Sequence, residues 1–149
     1  MTYRDVPAAL DGHAYLPPRA HPGDVGFDLA ALAGASVPPG ELVDIPTGIR
    51  LALPDDTWVL LTSRSSTFRR HRLMVLDGVI DSGYRGELFM SVFNLGHDVV
   101  EVQAGQRLAQ IIPHRNISRE YRITPIDPAH FDRLPSSDGR GAAGFGSTG

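Results

Sequence analysis

Cysteine is missing from the 149 residues, and so is lysine: all 14 basic side chains are arginines. The first absence excludes disulfides and thiolate metal sites. The second leaves every cationic contact to a guanidinium, whose planar fork suits bidentate binding of phosphate. No apolar run is long enough to cross a bilayer, and no charged-then-apolar leader follows Met1. The expectation is a cytoplasmic protein with no membrane partner. The net charge of −3 argues against a nucleic-acid partner. His13, His21, His71, His97, His114 and His130 are scattered without the spacing of a zinc site.

Glycine and proline, by contrast, are plentiful: 16 and 12 residues, 28 together, spread along the whole chain. Long helices have little room among them, and no window sustains a 3.6-residue apolar period. Short β-like runs recur between turn signals instead, at Leu42–Ile45, Ile49–Leu53, Trp58–Thr62, Leu73–Leu76, Leu88–Phe93, Val99–Val102 and Leu108–Ile112. This spacing predicts an all-β sandwich or barrel. The length suits one domain with a real core, placed over residues 1–134 and followed by a flexible glycine-rich tail, 135–149. Trp58–Leu61 reads as a core strand with no chemistry, and Trp58 as a packing residue.

The most informative stretch is Leu76 to Glu87, L-D-G-V-I-D-S-G-Y-R-G-E. Asp81 stands between the β-branched pair Val79-Ile80 and the turn pair Ser82-Gly83, with Tyr84 next. A carboxylate whose direction the backbone fixes in this way meets the geometric need of a general base. A turn-capping aspartate is the plainer alternative. Upstream, Asp24 and Asp28 in the Arg19–Leu29 segment either hold a divalent cation, directly or through water, or belong to a solvated loop with one Asx-turn. Thr62-Ser63-Arg64-Ser65-Ser66 places a guanidinium among hydroxyls after a buried strand, as a phosphate cradle requires. Ser65 or Ser66 equally suits an N-cap for a short helix through Phe68–Arg72. Arg69, Arg70, His71 and Arg72 then form the solvated face of that helix. Arg107 and Gln110 are polar residues on an otherwise buried strand and need partners, structural or ligand-borne. In the last residues, Arg140, Phe145, Ser147 and Thr148 stand among glycines that let a tail wrap closely around a ligand.

Five of these segments, in order, resemble the motifs of the trimeric deoxyuridine triphosphatase (dUTPase) family: Gly23–Leu29, Ser63–Ser66, Gly78–Glu87, Gly105–Gln110 and Arg140–Gly149. The resemblance implies a jelly-roll-like distorted β-barrel with at most one short helix, after Ser63-Arg64-Ser65-Ser66. It implies a homotrimer with active sites shared between subunits, and magnesium-dependent hydrolysis of dUTP to dUMP and pyrophosphate. Asp81 resembles the base that activates water against the α-phosphorus. Arg64, Ser65, Ser66 and Gln110 match phosphate-contacting positions, as do Arg140, Ser147 and Thr148 in the tail. Asp28 matches the carboxylate near the waters of Mg2+. Tyr84 resembles the residue beneath deoxyribose, and Phe145 the aromatic that covers uracil. The chain passes from Val75-Leu76-Asp77 straight to Gly78, a couple of residues shorter than the family's bend, so the main chain around Gly78, Val79 and Ile80 is expected to read the base. Related dCTP deaminases, some bifunctional, carry a catalytic Glu where spacing from Asp81 puts Ser91. A nucleotide-sensing module of the same fold would not need Asp81.

Overall fold

The computed structural model describes residues 4–136 and Gly139. The chain divides into two compact units, Met1–Ile117 and Ser118–Gly149. In the first, eleven strands run β1 (Ala8–Leu10), β2 (Phe27–Ala30), β3 (Ala35–Val37), β4 (Leu42–Pro46), β5 (Ile49–Leu51), β6 (Thr57–Ser63), β7 (Leu73–Val75), β8 (Gly78–Ile80), β9 (Phe89–Asn94), β10 (Val100–Val102) and β11 (Arg107–Arg115). One helix, α1 (Ser65–His71), interrupts them after β6. The ladders are all antiparallel: a four-stranded sheet β2-β11-β6-β8, a three-stranded sheet β4-β9-β7, and the pairs β1-β5 and β3-β10. This is the expected all-β fold, built from four separate sheets with no closed cylinder of hydrogen bonds among the described residues.

Alternation explains why these segments are strands. In β6, Val59 and Leu61 are buried while Trp58, Leu60 and Thr62 are half-buried on the other face. In β9, Met90, Val92 and Asn94 turn inward past Phe89, Ser91 and Phe93. Their inward side chains meet Leu73, Val75, Ile45, Leu108 and Ile111 in one hydrophobic cluster. At ~1.5–3 kcal/mol for each large aliphatic side chain taken out of water, this cluster is the main stabilising term. Pro113 lacks an N–H for a ladder, and it falls where β11 has already run past its last β2 partner, the Ile111–Phe27 pair.

The strand Trp58–Leu61 enters the core through Val59 and Leu61 as expected, while Trp58 itself is half-buried and stacks on His114, ring centroids 4.4 Å apart. One sequence reading needs correction. Neither Ser65 nor Ser66 caps α1. The N-cap is Arg64, in extended backbone with no side-chain cap bond, and Thr67 secures the first turn by donating from Oγ1 to the Leu108 carbonyl at 2.6 Å. Arg69 and Arg70 are exposed as expected, and the Arg72 guanidinium lies 5.4 Å from the Phe68 ring centroid. The second unit holds a 3-10 turn at Ser118–Glu120 and one helical turn, α2 (Pro128–Phe131), where Asp127 Oδ1 accepts from the His130 N–H at 3.2 Å. Its described side chains, Tyr121 and Ile123 included, are exposed.

The buried polar group on which most depends is Asn94, 1% exposed. Its Nδ2 donates to the carbonyls of Val37 and Asp98, both at 2.8 Å, and its Oδ1 accepts from the Gly96 N–H at 2.8 Å. Asn94→Ala strands two buried acceptors and a donor at once. We expect a loss of ~2–4 kcal/mol in urea unfolding, since each unsatisfied buried group costs ~1–3 kcal/mol. A loss below ~1 kcal/mol would show that water replaces the amide.

Candidate functional site

Two features of the first unit carry chemistry, and they lie apart. The first is a cleft of about 380 Å³ lined by Asp28, Arg64, Ser65, Arg107 and Gln110, with Arg19, His21, Asp24 and Gly26 contributed by the loop before β2. Three strand ends build it. Register places Gln110 between Asp28 on one side and Thr62 on the other, so β11 carries the cleft floor and β6 delivers Arg64 to its edge. The start of α1 is fixed to that floor, because the Leu108 carbonyl accepts from both the Arg64 N–H (3.1 Å) and Thr67 Oγ1.

Charges inside the cleft are paired unevenly. The Asp28 carboxylate, only 20% exposed, forms an ion pair with Arg64, its Oδ1 2.8 Å from Nε, and accepts a hydrogen bond from Arg107 Nη1 on Oδ2 at 3.2 Å. Arg19 donates to the Asp24 carbonyl at 3.2 Å and stands 5.2 Å from the Phe27 ring. Three guanidiniums therefore face two carboxylates, which leaves an anion-attracting excess of one positive charge. Asp24 Oδ2 accepts the His21 N–H at 2.8 Å, a bond back along its own loop rather than the forward bond of an Asx-turn. Among the described residues no group of three His, Cys, Asp or Glu side chains is placed to hold a metal ion.

Ser65 lines the cleft, whereas Ser66 lies half-buried in the first turn of α1 and does not. Gln110 Nε2 donates to the Ser63 carbonyl at 3.2 Å, and the amide lies over Gly26. A Cβ on Gly26 would stand 3.0 Å from Gln110 Cδ and closer still to its oxygen. The obstacle is the far end of a flexible side chain, so the Gln110 amide would yield before the backbone did. Gly26→Ala should leave the melting temperature within ~3 °C, as expected of a change near 0.5 kcal/mol. It should weaken pyrophosphate binding severalfold by calorimetry, and unchanged binding would show that neither Gly26 nor Gln110 shapes an anion site.

The second feature is the turn after β8. Asp81 is exposed, and its carbonyl accepts the Tyr84 N–H at 3.1 Å. Arg85 ties the turn from outside, Nη1 donating to the carbonyls of Ser82 (2.6 Å) and Tyr84 (2.8 Å). Tyr84 folds back to donate its hydroxyl to the Glu87 carbonyl at 3.0 Å. Its ring crosses Gly86, where a Cβ would come within 2.5 Å of Cζ. Glu87 Oε1 in turn accepts the Gly48 N–H at 2.8 Å. Beside the turn, Leu76, Val79 and Tyr84 leave apolar surface open, Val79 at 66% exposure. Gly78 and Ile80 are half-buried. Leu76 and Asp77 do not close a hairpin: β7 pairs with β9 and β8 with β6, so the two residues carry the chain from one sheet to the other.

The separation follows from register. Gly78 is opposite Leu61 and Ile80 opposite Val59, which puts Asp81 at the level of Trp58, the far end of β6 from Arg64. Six residues at ~3.3 Å each make the gap roughly 20 Å. The fold thus gathers Asp28, Arg64, Ser65 and Gln110 at one end and Asp81, Tyr84 and Val79 at the other. Arg140, Phe145, Ser147 and Thr148 lie outside the described residues. Arg85 and Gly86 are legible in the sequence only as parts of a turn, and Arg107 only as a polar residue on a buried strand. Arg19 carries no signal, since nothing local in its sequence shows that its loop folds over β11.

A sequence profile of the dUTPase family matches residues 13–149. The deoxyuridine 5′-triphosphate nucleotidohydrolase of Leifsonia xyli subsp. xyli is 38% identical over 140 residues, covering 90% of this chain and 85% of that one. The enzyme of the same name from Thermobifida fusca is 39% identical over 143 residues, covering 94% and 75%. Among solved structures, a mutant dUTPase of Staphylococcus bacteriophage 80alpha with dUpNHpp superposes with a TM-score of 0.83 at 22% identity over 99% of both chains. A mutant dUTPase of phage phi11, described with a structural Mg(II) ion, gives 0.77 at 21% identity over 83% and 97%. The structures establish the fold, and the profile and sequence relatives establish the kinship: this chain belongs to the dUTPase family.

Proposed function

We propose that the chain hydrolyses dUTP to dUMP and pyrophosphate at sites completed by a second copy of itself, in a homotrimer. The observation that supports this reading is the ~20 Å between the Arg64 cleft and Asp81. One α-phosphorus cannot be in hydrogen-bond reach of both within a single chain, although each end alone has the right chemistry. The cleft offers guanidinium, hydroxyl and amide donors for phosphate oxygens, and the turn offers an exposed carboxylate beside open apolar surface for sugar and base.

In this mechanism Arg64, Ser65 and Gln110 of one copy take the phosphate chain. Asp81 of another accepts a proton from water while the water oxygen bonds to the α-phosphorus. The bond from that phosphorus to the bridging oxygen breaks, and pyrophosphate leaves with the electron pair. Tyr84, held by Glu87 and Gly86, lies beneath deoxyribose and leaves no room for a 2′-hydroxyl. Gly78, Val79 and Ile80 read the base through the main chain. Mg2+ fits as an ion carried on the phosphates rather than by the chain alone, because no three-ligand group is present among the described residues. Asp28, with a guanidinium beside each oxygen and lone pairs to spare, would accept from water on that ion. When bound, the ion withdraws charge from the phosphates. Ser66 has no such position in the cleft, so Ser65 is the stronger hydroxyl donor. Ser91, at the place of a deaminase's glutamate, donates its hydroxyl to Asp44 at 2.6 Å, which favours hydrolysis over deamination.

Asp81→Asn should lower kcat for dUTP by at least ~10²-fold, the scale of a positioned base, with the fold intact. Mixing tests the shared site more sharply. Asp81→Asn and Arg64→Met chains, each nearly inactive, should recover activity when refolded together, up to roughly a quarter of wild type if copies assort at random in a symmetric oligomer. No recovery in demonstrably mixed oligomers would place both residues in the same chain's site.

The tail is proposed to close over the nucleotide, Phe145 stacking on uracil and Arg140, Ser147 and Thr148 gripping the terminal phosphate. Deleting residues 140–149 should leave the melting curve unchanged and reduce kcat/KM by at least tenfold, given stacking worth ~1–3 kcal/mol per base plus the lost phosphate contacts. Full kcat/KM in the truncated chain would remove the tail from the mechanism.

A further inference from the structure

Arg107 occupies its place in the cleft because of an irregularity in β11. Against β2, Arg107 pairs with Ala30 but Ala109 pairs with the adjacent Leu29, so Leu108 is the extra residue of a β-bulge. Leu108 and Ala109 are consecutive and both fully buried. Without the bulge, Arg107 would share the inward face of Ala109 and Ile111 and bring a guanidinium into the core. With it, Arg107 turns to the side of Gln110 and lines the cleft. A bulge that re-aims one side chain beside a site is a feature with a purpose.

Arg107 touches Arg64 by two routes. Its side chain donates to Asp28 Oδ2 at 3.2 Å, and the other oxygen of that carboxylate holds Arg64 Nε at 2.8 Å. Its backbone carbonyl accepts from Arg64 Nη1 at 3.2 Å. The Arg64 guanidinium is thus held at two points, by the Asp28 charge beside Nε and by the Arg107 carbonyl at Nη1. Its Nη2 is left to donate to an anion.

We propose that Arg107 is a positioning residue of the triphosphate site: it neutralises and orients Asp28, and through Asp28 fixes the guanidinium plane of Arg64. The inference rests on the proposed dUTP hydrolysis for its substrate, but its geometry belongs to the chain alone. A free arginine at position 64 would lose side-chain entropy on meeting phosphate, whereas a clamped one has already lost it on folding. A guanidinium that contacts phosphate directly would make the opposite prediction in a mutant cycle, because its effect would not need Asp28.

The test compares R107M, D28N and the R107M/D28N double variant of the full chain, reading dUTP kcat and KM and, separately, pyrophosphate affinity by calorimetry. We expect R107M to raise KM and the pyrophosphate Kd about tenfold in the wild-type background and less than about twofold when D28N is present, the coupling expected of residues in one ion network. R107K, which can still reach Asp28, should stay within about threefold of wild type. R107Q repeats the comparison should R107M not fold. An equal loss in both backgrounds makes Arg107 a direct phosphate ligand and overturns the proposal, and so does no loss in either. Should the wild-type chain leave dUTP intact, the proposed reaction fails on its own account. The pyrophosphate cycle would then still decide the role of Arg107.

Discussion

The pairing of β6 with β11 is the constraint on which the rest depends. Seven consecutive pairs, from Ala109 opposite Ser63 to Arg115 opposite Thr57, hold the two strands in one register. A slip of one residue would turn Val59 and Leu61 out of the core and Gln110 out of the cleft together. The same strand, β6, fixes β8 on its other side and so sets where Asp81 emerges. One ladder therefore decides how far the phosphate cleft lies from the carboxylate turn. That distance is what makes a second copy necessary for the proposed reaction, and assembly becomes a consequence of strand register rather than an added property.

The cleft shows how a chain without lysine manages a concentration of positive charge. Bare guanidiniums this close repel one another. Asp28 lies between two of them with one oxygen toward each guanidinium, which offsets the repulsion and leaves the charge excess needed for an anion. Its low exposure strengthens the arrangement, since water screens the contact less than it would a surface pair. The exposed Arg4–Asp56 pair makes the contrast. There the Arg4 hydrogen bond holds the Asp56 carboxyl below its ordinary value, yet both groups are open to solvent and the pair does little beyond tethering the start of the chain.

Much of this fold is legible in the amino-acid sequence. Each of the seven β-like runs contains an observed strand or overlaps one, with ends that differ by at most three residues, because alternation and β-branched side chains carry a local signal. Ala8–Leu10, Phe27–Ala30 and Ala35–Val37 are not legible as strands. They are short, rich in alanine, and held by partners distant in sequence such as Leu51, Gln110 and Val102. The site is legible as residue types: an arginine among hydroxyls, an aspartate before a turn, a glutamine on a buried strand. Its grouping is not, since register rather than sequence distance puts Arg64 beside Asp28 and away from Asp81. The face that Trp58 takes is likewise not legible, because a large aromatic in a strand does not reveal it, and here the outer face offers His114 to stack on. Arg107 is hidden by the bulge, which breaks the period on which strand reading relies.

The turn carrying Asp81 is rigid for reasons that do not involve Asp81. Tyr84 is tied to the Glu87 carbonyl, Glu87 to the Gly48 backbone, and Arg85 to the carbonyls of Ser82 and Tyr84. Gly86 lets the ring lie flat across the backbone where any Cβ would lift it. Each bond spends a neighbouring polar group on holding the loop, while the carboxylate and the open faces of Val79 and Tyr84 stay available. On the proposed reading this is what selectivity for deoxyribose requires. A ring free to swing could make room for a 2′-hydroxyl at little cost, but one pinned at its hydroxyl and packed on a glycine cannot move aside without breaking the turn that aims the base. Discrimination against ribose and orientation of Asp81 then follow from the same few hydrogen bonds, so loosening one loosens the other.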